Sequence, residues 1–183
     1  MDKKDAIRKK YLLKRKKKYF KVDSKFFTPL IKLLKKKFRN QHLNISIYYP
    51  NNYEVDILEI FKIEYFSNSK FLLPIIENHN SMNFYIWKKN DILLVNKYGI
   101  LEPEKTKTVN PNVILVPVLA FDKNKNRLGY GKGFYDKYLN KYFKKNKKKL
   151  AVGVAFSFQK YNNLPTNNED FKLHHIITDK GII

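Results

Sequence analysis

The sequence predicts an α/β fold: a three-layer α/β/α sandwich with a largely parallel, mixed central sheet, forming a single domain over residues 1–183. Three observations carry this expectation. Helical and strand-like segments alternate along the chain. Two unbroken apolar runs, 113–121 and 150–156, are bounded by turn signals, as strands buried in a parallel sheet are. The first run leads through a glycine-rich loop into a helix start, and three of the chain's six glycines (Gly129, Gly131, Gly133) lie in that loop.

In chain order, residues 3–20 read as a basic helix, with Ile7, Tyr11, Leu12 and Leu13 at helical spacing between lysines and arginines. Asp23 or Ser24 can cap a second helix over 25–40, whose inner face carries Phe26, Leu30, Leu33, Leu34 and Phe38. Residues 43–49 alternate apolar and polar like a strand, and Pro50-Asn51-Asn52 breaks the run. A third helix is expected from Tyr53 to about Phe66, and short strands over 71–76 and 82–87. Residues 98–103 read as a loop in which Pro103 fixes φ. After the apolar run 113–121 come a polar turn (122–126), the glycine loop and a helix that continues to Tyr142. The basic tail 144–149 is read as solvated, and strands follow at 150–156 and 173–178.

The totals narrow the function classes. A chain of 183 residues with 43% hydrophobic content can bury one real core. No window of about 18 apolar residues predicts a membrane span, and Asp2-Lys3-Lys4 is not followed by a secretory apolar core. With no cysteine, a disulfide scaffold, a zinc–thiolate site and a thiol nucleophile are excluded, and the cytoplasm is the default location. His42, His79, His174 and His175 show no metal-ligating spacing. The charge is +22, from 38 Lys and Arg against 16 Asp and Glu. That surplus fits nucleic-acid binding, but the lysines are spread along the whole chain, and Lys, Asn, Ile, Tyr and Phe are all abundant, as biased coding would produce.

The glycine loop is the stretch with the most chemistry. Glycine tolerates positive φ and lets a ligand approach the backbone. A glycine loop ahead of a helix offers N–H groups and the positive end of the helix dipole to a phosphate, and Arg127 and Lys132 add cations. The spacing matches neither the dinucleotide fingerprint nor the Walker loop, so a phosphate site and a plain tight turn both stay open on the loop alone.

The run from Leu115 to Leu139 resembles the signature of the 5-formyltetrahydrofolate cyclo-ligase family. It has Pro117-x-x-Ala120-Phe121-Asp122, then Arg127-Leu128-Gly129-Tyr130-Gly131-Lys132-Gly133-Phe134-Tyr135-Asp136, with Phe134 where a tyrosine is usual. Weaker matches follow in order: Lys4 and Arg8, Glu54, Pro74, Met82 to Phe84, Gly99 to Pro103, Gln159 with Leu164-Pro165, and Thr178 to Gly181.

The resemblance implies ATP-driven cyclisation of 5-formyltetrahydrofolate to 5,10-methenyltetrahydrofolate, with ADP and phosphate released. It implies ATP held by Lys4, Arg8 and the loop residues Arg127, Leu128, Gly129, Tyr130, Gly131, Lys132, Gly133, Phe134 and Tyr135. It places the folate, polyglutamylated or not, against Tyr49, Glu54 and Tyr135, and Mg²⁺ on Asp136 and Asp170. Arg127, Lys132 and Tyr135 are the implied catalytic residues, and a monomer is expected. The usual threonine after Glu54 is Ile57 here. That departure leaves open a degenerate member of the same fold. A basic nucleic-acid-binding module is the other alternative, although no RNA-binding aromatic pattern is present, so nucleic acid is not the expected partner.

Overall fold

The computed structural model describes residues 2–39, 41–78, 81–97 and 99–183. Its centre is a seven-stranded sheet in the order β11-β10-β9-β6-β1-β2-β3. The strands are β1 (Asn44–Ser46), β2 (Lys70–Asn78), β3 (Ser81–Ile86), β6 (Val113–Pro117), β9 (Leu150–Val154), β10 (His175–Thr178) and β11 (Gly181–Ile182). The pairs β1–β2, β1–β6, β6–β9 and β9–β10 are parallel, while β3 and β11 close the two edges antiparallel. Two small ribbons lie outside this sheet: β4 (Leu93–Val95) with β5 (Leu101–Pro103), and β7 (Ala120–Phe121) with β8 (Arg127–Leu128).

The apolar runs are continuous because both faces of the sheet are covered. Val113, Leu115, Leu150, Val152 and Val154 point into one core with Ile45, Leu73 and helix α2 (Thr28–Phe38). Their alternates Ile114, Val116 and Ala151 point into a second core with Tyr138, Leu139 and Phe143 of the α3 region (Phe134–Tyr142). The expected three layers are therefore present. Helix α1 (Lys3–Lys18) stands apart and buries Ile7 and Tyr11 against Leu119, Ala120 and Leu128 of the β7–β8 ribbon.

Local caps explain the boundaries. The Asp2 carboxylate accepts from the Lys4 amide, 3.2 Å, to start α1. Asp23 accepts from Lys25, 2.9 Å, but the turn it caps is a 3-10 segment, Ser24–Phe27, and α2 begins only at Thr28. Helix α2 closes on Arg39 in the left-handed region, and Asn40, the expected end, lies outside the described residues.

Three expectations fail for physical reasons. No α-helix runs from Tyr53 to Phe66: the chain forms 3-10 segments Ile57–Lys62 and Glu64–Phe66. Ile57, Ile60, Ile63 and Phe66 recur every third residue, the 3-10 period, and all but the partly buried Ile63 are fully enclosed. Next, the strand expected over 113–121 breaks after Pro117, because Gln159 Nε2 takes the carbonyls of Val118 (2.6 Å) and Leu119 (2.9 Å). Finally, the expected loop 98–103 contains strand β5; Tyr98 itself lies outside the described residues.

The strand order fixes where a ligand can bind. From β1 the chain moves to β2 on one side, then returns to β6 on the other and continues outward through β9 and β10. The reversal falls between β1 and β6, and open α/β sheets bind ligands at the carboxyl ends of such a pair.

Candidate active site

A cavity of about 1050 Å³ opens at that position. Its lining includes Tyr48 and Tyr49 just past β1, Pro117 at the end of β6, and Pro74 and Ile76 of β2. Ligand pockets commonly measure roughly 300–1,000 Å³, so this cavity stands at the roomy end of that range. Every sequence-predicted site residue lines it: Lys4, Arg8, Tyr49, Glu54, the loop from Arg127 to Tyr135, Asp136 and Asp170.

The glycine loop is built between β8 and α3. Gly131 (φ +94°) and Gly133 (φ +72°) occupy the left-handed region, and Gly133 starts the helix. A Cβ on Gly131 would stand 3.0 Å from Arg8 Cζ, so glycine is what lets the Arg8 guanidinium lie on the loop. Arg8 Nε donates to the Gly129 carbonyl, 3.0 Å, and Nη1 pairs with Asp5.

Arg127 is buried and bonds Asp136 Oδ1 through Nη1, 2.6 Å. Its Nε is buried with no hydrogen-bond partner among the described residues. An unmatched N–H on a cavity-lining cation is the kind of donor an anionic oxygen satisfies, so the loop fits a phosphate. The fit for a magnesium ion is similar. Asp136 uses Oδ1 for both Arg127 and the Phe171 amide (2.9 Å), and Asp170 uses Oδ2 for Lys4 Nζ (2.7 Å) and the Asn167 amide (2.8 Å). Each carboxylate keeps its second oxygen out of these bonds, and two carboxylates plus phosphate oxygens are a usual Mg²⁺ donor set. None of the described histidines His42, His174 and His175 lines the cavity, and His79 lies outside the described residues.

Glu54 is held in a strained turn. Asn52 (φ 48°) and Tyr53 (φ 61°) are both left-handed without being glycine, a conformation that usually needs support from its surroundings. Here the Asn51 amide donates to Glu54 Oε2, 2.9 Å, and the Glu54 amide to the Asn51 carbonyl, 3.0 Å. Tyr130 Oη donates to Oε1, 2.9 Å, and Arg15 Nη1 stands 3.8 Å from the same oxygen. Burial pushes the Glu54 carboxyl above the usual glutamate range, and Arg15, the Asn51 amide and Tyr130 pull it partly back. Burial also raises the Tyr48, Tyr130 and Tyr135 phenols, with the Glu54 charge adding to each. All three are therefore neutral donors near neutral pH.

Sequence reasoning missed Arg15 and the Tyr130 hydroxyl bond to Glu54. Lys4, Arg8, Tyr11 and Arg15 follow a 4-3-4 spacing that puts them on one helix face, but the spacing does not mark which of the cations is buried. Two signature residues have structural roles. Asp122 is fully buried and ties the β7–β8 turn through Asn124, Asn126 and Leu164. Gln159 holds the chain after β6, as described. Ile57, the departure from the usual threonine, packs in the core and does not line the cavity. Glu102 lines it and accepts from the Ile76 amide, 2.9 Å.

The family profile described as the 5-formyltetrahydrofolate cyclo-ligase family matches residues 1–179. The chain belongs to that family. It is 30% identical over 146 residues to the 5-formyltetrahydrofolate cyclo-ligase of Haemophilus influenzae, covering 76% of this chain and 77% of the relative. It is 32% identical over 139 residues to the cyclo-ligase of Mycoplasma genitalium, covering 73% and 71%. Among solved structures, the 5,10-methenyltetrahydrofolate synthetase of Aquifex aeolicus aligns with a TM-score of 0.76 at 31% identity, over 98% of this chain and 91% of that one. The synthetase of Mycoplasma pneumoniae aligns with a TM-score of 0.73 at 25% identity, over 96% and 98%. The chain is thus a ligase of folate one-carbon chemistry with the cyclo-ligase fold. No helix of the described residues is long and apolar enough to cross a membrane.

Proposed function

We propose that the cavity binds 5-formyltetrahydrofolate, with or without a polyglutamate tail, beside ATP and converts it to 5,10-methenyltetrahydrofolate, releasing ADP and phosphate. The observation that carries this reading is that one cavity joins the glycine loop, the Lys4–Arg8 face of α1 and the buried Glu54 carboxylate. Loop amides with Arg127, Lys132, Lys4 and Arg8 hold the triphosphate. Glu54 accepts the paired N–H donors of the pterin ring in bidentate fashion, and Tyr49 and Tyr135 flank the ring.

The formyl oxygen is a poor leaving group, so it first accepts the γ-phosphoryl: the new O–P bond forms as the bond to ADP breaks. N10 then bonds the formyl carbon and gives up its proton to the departing phosphate as the carbon–oxygen bond breaks. Such transfer depends on alignment and charge neutralisation and needs no protein nucleophile, in keeping with a chain that has no cysteine. Arg127 and Lys132 offset the charge that develops on the transferred group, and neutral Tyr135 supplies a hydroxyl donor beside the folate. A magnesium ion on Asp136 and Asp170 would neutralise and orient phosphate oxygens.

The test is the growth of methenyltetrahydrofolate absorbance when purified protein meets 5-formyltetrahydrofolate and Mg-ATP. ATP-dependent growth, lost in Arg127→Ala, is expected. No signal from folded wild-type protein would refute the reading.

A further inference from the structure

The residue that the proposed reaction leaves unused is Arg15. Its side chain is 1% exposed, yet Nε and Nη1 have no hydrogen-bond partner among the described residues. Nη2 bonds the Tyr130 hydroxyl, and Nη1 lies 3.8 Å from Glu54 Oε1. The same Tyr130 hydroxyl donates to that oxygen at 2.9 Å. A buried cation with unmatched N–H groups is a poor stabiliser, because desolvation tends to exceed the gain from its pairing. An apolar side chain would pack there at less cost. The position therefore needs an explanation in what the guanidinium faces, namely a buried carboxylate that lines the cavity, and the glycine loop.

We propose that Arg15 is a positioning residue for the folate: it holds the Glu54 carboxylate charged and aligned, directly and through Tyr130. This rests on the reading of Glu54 as the pterin acceptor. A carboxylate buried without a cation would take up a proton and become a mixed donor and acceptor, unable to receive two N–H groups. Arg15 opposes that. Arginine suits the role because its planar fork reaches Tyr130 and Glu54 at once, which a lysine ammonium does not reproduce. Tyr130 then makes the alignment depend on the loop: the residue between Gly129 and Gly131 cannot swing away without releasing Oε1. The charged and titratable groups facing Glu54 are Arg15 from α1, Tyr130 from the loop, Tyr135 from α3 and Tyr48 from the segment after β1. Among these, Arg15 is the cation.

The experiment is steady-state kinetics across pH for wild type, Arg15→Met, Arg15→Lys, Tyr130→Phe, Glu54→Gln and the double variant Arg15→Met/Glu54→Gln. Arg15→Met is expected to raise KM for 5-formyltetrahydrofolate about tenfold while KM for ATP moves less than about twofold. Its acid limb in folate kcat/KM should shift to higher pH, because Glu54 loses its cation. Arg15→Lys should restore part of both effects, and Tyr130→Phe should shift them the same way by a smaller factor. In the Glu54→Gln background, Arg15→Met should add less than about twofold, since the two act as one unit.

An Arg15→Met effect that is undiminished in that background, or an unmoved pH profile, would overturn the proposal. Should Arg15→Met not fold, Arg15→Lys and Tyr130→Phe decide it, and wild-type folate KM and pH profile in both would overturn it. Glu54→Gln separates this inference from the reading beneath it. If Glu54→Gln is impaired while the Arg15 and Tyr130 variants behave as wild type, only the positioning role fails. If Glu54→Gln keeps the wild-type folate KM, the pterin assignment itself fails.

Discussion

Replacing the three loop glycines one at a time by alanine separates backbone strain from close approach. At Gly129 φ is not positive and an added Cβ meets nothing within 4 Å. The expected cost is within about 0.5 kcal/mol. At Gly133 there is again nothing within 4 Å, but φ is +72°. Strain of the left-handed region costs of order 1 kcal/mol or somewhat more. At Gly131 φ is +94° and the Cβ falls 3.0, 3.2 and 3.3 Å from Arg8 Cζ, Nη2 and Nε. Arg8 must yield, weakening its 3.0 Å bond to the Gly129 carbonyl. Its side chain is 20% exposed, so water replaces part of that bond and the added loss is about 1 kcal/mol. The sum is about 2–3 kcal/mol, which for a chain of this size lowers Tm by roughly 4–12 °C. If Arg8 holds the triphosphate as proposed, displacing it should also cut kcat/KM for ATP about tenfold, equivalent to about 1.4 kcal/mol. Thermal melts and ATP titrations of the three variants measure both. Stability equal to wild type in Gly131→Ala, or a loss in Gly129→Ala as large as that in Gly131→Ala, would refute the argument.

Gly153→Ala tests packing away from the cavity. Its Cβ would meet Leu173 Cδ1 at 2.8 Å and Val118 Cγ2 at 3.0 Å, so denaturant melts should show a loss of about 1–3 kcal/mol from overpacking. Asp170→Asn should raise the Mg²⁺ concentration for half-maximal activity about tenfold, read from a metal titration at saturating ATP. The raised Glu54 pKa means the carboxylate is lost as pH falls through a point above the ordinary glutamate range. Folate kcat/KM should therefore decline on the acid side there, and Glu54→Gln should flatten that limb. His174 is depressed, chiefly by burial, and its Nδ1 accepts the Ala151 amide, 2.9 Å. Its share of stability is present above the ordinary histidine range and lost as pH falls through the folded pKa, so His174→Gln should lessen the drop in denaturation midpoint on acidification.

The apolar runs at 113–117 and 150–154 were legible because strands covered on both faces need no alternation, and the two cores confirm that arrangement. The glycine loop was legible because φ forces Gly131 and Gly133, and Arg8 also restricts Gly131. The segment after Glu54 was misread, although its every-third-residue apolar spacing already spelled a 3-10 path. Arg15 was hidden for another reason. In a helix with so many lysines and arginines, composition does not mark the one cation whose burial sets it apart, and burial depends on Tyr130 and Glu54, far away in sequence. Pair-specific chemistry of this kind is decided by packing and not by local pattern.

The Lys4–Asp170 bridge joins residues 166 positions apart. On a ribosome, α1 emerges early, its packing partners Leu119, Ala120 and Leu128 follow only after more than half of the polypeptide, and Asp170 comes later still. The parallel order β1-β6-β9-β10 can be laid down progressively, strand beside strand, but the Lys4–Asp170 tie across the cavity waits for a residue near the end of the chain. On the reading proposed above, the nucleotide site is thus completed only late in synthesis. A nascent chain stalled before Asp170 would hold most of the sheet and still lack the anchor of Lys4.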